Sequence, residues 1–136
     1  MNRNTKFDLA VLEIMKAEKP TPQLKEMSRG KLKIAVDENI ISIGNLLKER
    51  GYKIYFPTPG TPDPKVHKWL TENSYRIFIT RNWNDFKGFP NKKYHTIEIK
   101  TREDDLTVAR KIEKYLAEKL AIIIRLPNQV TTIEHK

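Results

Sequence analysis

Short apolar runs alternate with helix-period stripes along most of this chain, and that alternation points to a parallel α/β sheet. Residues 32–36 form a short buried strand that stops at Asp37. Ile40, Ile43, Leu46 and Leu47 then recur at helical spacing, and Gly51 stands where a helix C′ residue belongs. Residues 52–56 are aromatic and β-branched, the composition strands favour. Pro57, Pro59, Gly60 and Pro62 make a rigid loop. Asp63-Pro64 follows as the N-cap and first residue of a helix carrying Val66, Trp69 and Leu70. Residues 75–80 are nearly all apolar, as a strand buried on both faces should be. A polar turn and a further strand at 94–99 come next.

Before this pattern, Thr5 and Asp8 form a capping box for a helix whose apolar stripe is Phe7, Val11, Ile14 and Met15. Pro20 and Pro22 end it. After the pattern, Thr101 is the expected cap of a long helix, with Glu103, Asp104 and Asp105 in the first turn where the dipole favours negative charge. Leu106, Ala109, Ile112, Leu116 and Leu120 are its buried stripe. Residues 122–126 and 130–133 are expected as closing strands. Strands alternating with helices imply right-handed crossovers and a mainly parallel sheet between helical layers. The loops at the strands' C-terminal ends then build the site.

The length of 136 residues suits one domain. It divides into a helical extension at 1–30, a motif-bearing core at 31–100, and a C-terminal helix and tail at 101–136. The chain has no cysteine, which removes disulfides, thiolate nucleophiles and thiolate metal sites. Its apolar runs are far too short to cross a bilayer, and no apolar signal segment follows the basic N-terminus. A cytoplasmic protein without a membrane partner is the expectation. The net charge of +9 favours phosphate-rich partners through counterion release, though it equally suits a solvated lysine surface.

Three carboxylates stand out by position. Asp37 ends the first strand, Asp63 opens a helix after the second, and Asp85 lies just beyond the third. In a parallel sheet all three loops share one edge. Carboxylates gathered there repel one another unless a cation intervenes, and hard oxygen ligands suit Mg²⁺ or Mn²⁺. Such an ion activates water and neutralises charge on a phosphodiester. Each acid also has a plain structural role open to it: Asp63 and Asp37 as helix caps, Asp85 as a turn former.

These residues resemble a known family. Lys33-Ile34-Ala35-Val36-Asp37-Glu38-Asn39, followed by a helix ending Leu46-Leu47-Lys48-Glu49-Arg50-Gly51-Tyr52, is similar to the opening of short PIN-like domains. Thr80-Arg81-Asn82-Trp83-Asn84-Asp85-Phe86 resembles the Thr-Arg-Asn-x-x-Asp-Phe turn of PIN domains, and Asp63 matches the family's intervening acid. The resemblance spans about residues 31–89. It implies a three-layer α/β/α PIN-like domain and an Mg²⁺- or Mn²⁺-dependent ribonuclease related to the toxins of toxin–antitoxin modules. Asp37, Asp63 and Asp85 would hold the metal, with Asn82 and Glu38 assisting. Thr80, Arg81, Asn39 and Trp83 are the expected substrate contacts. RNA and a protein inhibitor are the implied partners, and a homodimer is an assembly the family allows. Two departures matter: Asn82 stands where many relatives carry an acid, and a fourth carboxylate is not evident unless Glu38 serves. A catalytically inactive nucleic-acid- or protein-binding module is the alternative.

Asp63 with Glu98-Ile99-Lys100 also follows the order of a PD-(D/E)xK nuclease, but Pro64 favours a helix start where that site needs a strand. His67, His95 and His135 lack metal-ligand spacing, and His67 is expected at the surface. Trp83 and Phe86 either stack on a base or seal their turn onto the core.

Overall fold

The computed structural model describes residues 32–125 and 127–134, without the side chains of 121–124. The N-terminal helix expected from Thr5 onward lies outside the described residues. The elements run β1 (Lys33–Val36), a 3₁₀ turn (Glu38–Ile40), α1 (Ile41–Glu49), β2 (Lys53–Tyr55), α2 (Asp63–Glu72), β3 (Ile77–Thr80), α3 (Trp83–Phe86), β4 (His95–Ile99), α4 (Asp105–Arg125) and β5 (Val130–Ile133).

The five strands form one all-parallel sheet in the order β2-β1-β3-β4-β5. Period-2 alternation sends Ile34, Val36, Ile77, Ile79, Ile97 and Ile99 to one face, where Ile43 and Leu47 of α1 and Val108, Ile112 and Leu116 of α4 cover them. Ala35 and Phe78 point the other way, onto Val66 and Leu70 of α2 and Phe86 of α3. The result is the expected three-layer α/β/α fold. Each fully buried Leu, Ile or Phe contributes about 1.5–3 kcal/mol against exposure, so two apolar layers supply the cohesion that a chain without cysteine cannot take from crosslinks. Among the described residues no helix is long and apolar enough to cross a membrane.

Gly51 has the expected role. Its φ is +96°, and Gly51 N–H donates to the Lys48 carbonyl while Tyr52 N–H donates to Leu47. Those two bonds close α1 and aim the chain into β2.

The C-terminal third departs from expectation in three ways. Asp104, not Thr101, caps α4: its carboxylate accepts from Thr107 N–H at 3.1 Å and from the Thr107 hydroxyl at 2.7 Å. Thr101 is buried and serves a tighter turn, accepting from Glu103 N–H at 3.1 Å. Residues 122–125 continue α4 instead of forming a strand. No Gly or Pro separates them from the Leu116–Leu120 stripe, and extending an existing helix costs far less than ending it without a breaker. Leu106, expected inside, is 48% exposed because the helix starts later and its buried face begins at Val108.

Gly44, mid-helix in α1, has a packing reason. A Cβ there would stand 2.5 Å from the Phe56 ring and 3.1 Å from Val36 Cγ1. Alanine gains about 1 kcal/mol of helix propensity, but displacing the ring or the helix costs about 1–3 kcal/mol. Gly44→Ala is expected to lower the urea midpoint, and Gly44→Ala with Phe56→Leu to cost less than the sum of the single changes. A Gly44→Ala midpoint at or above wild type overturns this account.

Candidate active site

The strand order reverses between β1 and β3: α1 crosses on one face and α2 on the other. A crevice opens at their C-terminal ends, the position where parallel sheets bind ligands. Asp37 occupies it. Its backbone N–H extends the ladder by donating to Ile79 at 2.9 Å. Its Oδ1 accepts from Glu38 N–H at 2.8 Å and its Oδ2 accepts from the Thr80 hydroxyl at 2.7 Å. Thr80 Oγ1 in turn accepts from Asn82 N–H at 3.0 Å. Asp37 is 9% exposed and Thr80 fully buried, so the carboxylate is held in one orientation by both central strands.

Asp63 lies in the first turn of α2, but Pro62 is the N-cap and the Asp63 side chain makes no capping bond. The expectation that it caps the helix is corrected: Pro62 precedes it in extended backbone and shifts the helix start by one residue. The carboxyl is left available to the crevice. Burial raises its pKa above the ordinary value, and the negative charges of Asp85, Asp37 and Glu38 raise it further. An acid at a helix start normally gains from the dipole, and here burial and repulsion outweigh that gain. Asp85 projects from the single turn of α3 and is exposed. Glu38, the expected assisting acid, is partly buried and accepts from Gly60 N–H at 2.8 Å. Gly60 has φ +83°, the left-handed conformation that the loop after β2 needs to bring its N–H to Glu38.

Four carboxylates thus share one crevice. Among the described residues no three His, Cys, Asp or Glu side chains stand close enough together to ligate one ion directly. The all-oxygen donor set fits a hard, hydrated cation such as Mg²⁺, which takes one or two carboxylates and keeps several waters.

One acid carries more than its sequence context suggested. Glu98 sits on β4 directly opposite Thr80 and is 6% exposed, with Lys100 Nζ at 3.8 Å. Strand register puts Asp37, Thr80 and Glu98 in one row across β1, β3 and β4, on the face of Ala35 and Phe78. The signal in the sequence was parity: Glu98 alternates with Ile97 and Ile99, whose side chains face α4. As part of a PD-(D/E)xK pattern Glu98 fails, since Asp63 lies on a helix and neither neighbour of β4 carries it.

The expected substrate contacts fare unevenly. Arg81 is tied by Nη1 to the Thr101 carbonyl at 2.7 Å, leaving most of its donors free. Asn39 and Asn82 are exposed beside the crevice. Trp83 packs against the α2–α3 core with Lys92 Nζ 5.3 Å from its ring centre; it seals the turn instead of offering a face to a base. Phe86 is buried against Phe78. His67 is not a plain surface residue: Nδ1 pairs with the Tyr94 hydroxyl at 2.8 Å, and its ring stacks on Phe89. Burial and the charge of Lys92 lower its pKa.

Two measurements test this geometry. Thr80→Val orphans Asp37 Oδ2 and Asn82 N–H and is expected to cost about 1–3 kcal/mol by urea unfolding; Thr80→Ser keeps the hydroxyl and should cost clearly less. Equal losses would show that the methyl, not the hydroxyl, matters. Asp63 titrates higher folded than unfolded, so the folded state loses stability as pH rises between the two values. Asp63→Asn removes that penalty: it should be more stable than wild type at pH 7, with the difference vanishing below about pH 4. A wild type equally stable at pH 7 would refute the repulsion.

No protein-family model, curated protein or solved structure matches the chain, so the chemistry of this crevice carries the functional reading.

Proposed function

We propose that the chain is a metal-dependent ribonuclease that hydrolyses RNA phosphodiester bonds at the crevice between β1 and β3. The observation that carries this is the buried Asp37 carboxylate fixed by Thr80 at the switch-point crevice, with Asp63 near enough that its carboxyl, raised first by burial, also feels the charges of Asp85, Asp37 and Glu38. Stability alone does not favour such a gathering, whereas a bound divalent cation would. The PIN-like motifs around Asp37 and Thr80–Phe86 and the net charge of +9 support the same reading, and with it a place as the toxin of a toxin–antitoxin pair.

Asp37, Asp63 and Asp85 would hold a hydrated Mg²⁺ or Mn²⁺, at least one of them through the ion's waters, and when bound it would supply a water of lowered pKa and neutralise phosphate charge. The chain's own groups set the frame. Thr80 fixes the Asp37 carboxylate, Glu38 holds the Gly60 loop beside it, and the Asn82 amide orients water at the exposed rim. Arg81, tethered at Thr101, meets phosphate.

A second reading rests on a specific observation. Both oxygens of Asp37 already accept hydrogen bonds within the chain, which suits a PIN-like module that binds nucleic acid or protein without cutting it.

Asp37→Asn separates the two. The amide oxygen still accepts from Glu38 N–H and the amide nitrogen can donate to Thr80 Oγ1, but the buried Thr80 O–H loses its acceptor, so unfolding should change by about 1–3 kcal/mol with the fold kept. Cleavage of a single-stranded RNA with Mg²⁺ or Mn²⁺ should fall at least a hundredfold, and calorimetric Mn²⁺ binding should be lost. Wild type that neither binds Mn²⁺ nor cuts RNA, or a variant that cuts as well as wild type, would overturn the nuclease and favour the binding module.

A further inference from the structure

Beside the acid crevice an open groove of about 680 Å³ runs past the ends of β3 and β4, lined by Arg81, Asn84, Glu98, Lys100, Arg102 and Glu103 with Ile99 and Asp105. Its charges are not evenly available. Glu103 is engaged by Lys111 and the Thr101 hydroxyl, Asp105 accepts from Ser42, and Glu98 faces Lys100. Among the described residues neither Arg81 nor Arg102 has a carboxylate partner. Arg81 is oriented by a bond from Nη1 to the Thr101 carbonyl at 2.7 Å, which leaves its other guanidinium donors without a partner among the described residues. The groove therefore offers two guanidinium groups without a carboxylate partner and an amide, while Glu98 and Glu103 are paired with lysines and Asp105 is turned to the Ser42 hydroxyl.

Among the described residues no aromatic ring lines the groove, and Ile99 is the one apolar residue in it. A base-reading pocket needs stacking surface, whereas cations without a ring suit a backbone phosphate. We infer that this groove seats a phosphate of single-stranded RNA next to the scissile one, held by Arg81 and Arg102 with no readout of the base attached to it. The inference rests on the ribonuclease reading and adds to it where the strand runs and why that position tolerates any base.

The test is binding in EDTA, where no cleavage occurs. A fluorescent single-stranded RNA dodecamer is followed by anisotropy against salt concentration. Arg102→Gln should weaken binding several-fold, and Arg81→Gln with Arg102→Gln at least tenfold, with the slope of log K against log salt falling by about 0.7, one phosphate's share for a single strand. Lys114→Gln with Lys119→Gln removes the same charge from the exposed side of α4 and should leave both quantities nearly unchanged. Dodecamers of U, A and C should lose affinity equally in the double arginine variant. Four results would overturn the inference: no wild-type binding, equal loss from the lysine pair, losses that depend on the base, or inorganic phosphate displacing the RNA at micromolar concentration. Because metal and cleavage are absent, a failed nuclease assay leaves this result standing, and a failed groove leaves the Asp37 test standing. Circular dichroism of each variant, with Arg102→Gln the least intrusive, separates lost contacts from lost fold.

Discussion

One hydrogen bond, from the Thr80 hydroxyl to Asp37 Oδ2 at 2.7 Å, ties the two central strands together at the point where the fold changes direction. A buried carboxylate without partners would be costly, and the neighbouring strand supplies one. The same hydroxyl accepts the Asn82 N–H, which sets the turn into α3 and hence the position of Asp85. Glu38 follows Asp37 and pins the Gly60 loop, which leads to Asp63. Each acid is thus referenced, through one or two bonds, to the junction of β1 and β3.

That junction explains how the electrostatics of the site differ from those of an ordinary surface. The repelling acids sit over the open switch point, where two layers of apolar packing beneath them keep the backbone from relaxing. Arg81 and Arg102 lie one strand further on, over the gap between β3 and β4. An acidic crevice and a groove carrying two guanidinium groups without carboxylate partners therefore stand side by side along one sheet edge, which is the layout that a cation and a polyanion bound together would need.

Much of this was legible in the residues. Strands ending in Asp37 and in Thr80, the Gly51 helix stop and the three-layer packing all follow from short-range pattern, because period and turn chemistry act within a few residues. What was not legible depended on partners distant in sequence or on competition between near-equal local options. Asp104 and Thr101 are both good caps, and Thr107 decided between them through two bonds to Asp104. Ile122–Ile124 favour strand by themselves, yet they follow four turns of helix without a breaker. Glu98 reads only as the acid of a PD-(D/E)xK pattern until the β3–β4 register sets it opposite Thr80. Trp83 reads either as a base-stacking ring or as a seal for its turn, and Lys92, which donates to the carbonyls of Lys87 and Phe89, decides for the seal by closing over it.

The parallel topology has a consequence in time. No two neighbouring strands are joined by a hairpin, and the partners of the central bond, Asp37 and Thr80, are 43 positions apart. Bringing them together closes a long loop before any pairing energy is returned, which is the slow kind of step in folding. The acids cannot face one another in a chain that has formed only its local helices. The proximity of Asp63 to the other acids arises with the sheet's centre, so the folding chain brings these charges together only after the contacts that hold them exist.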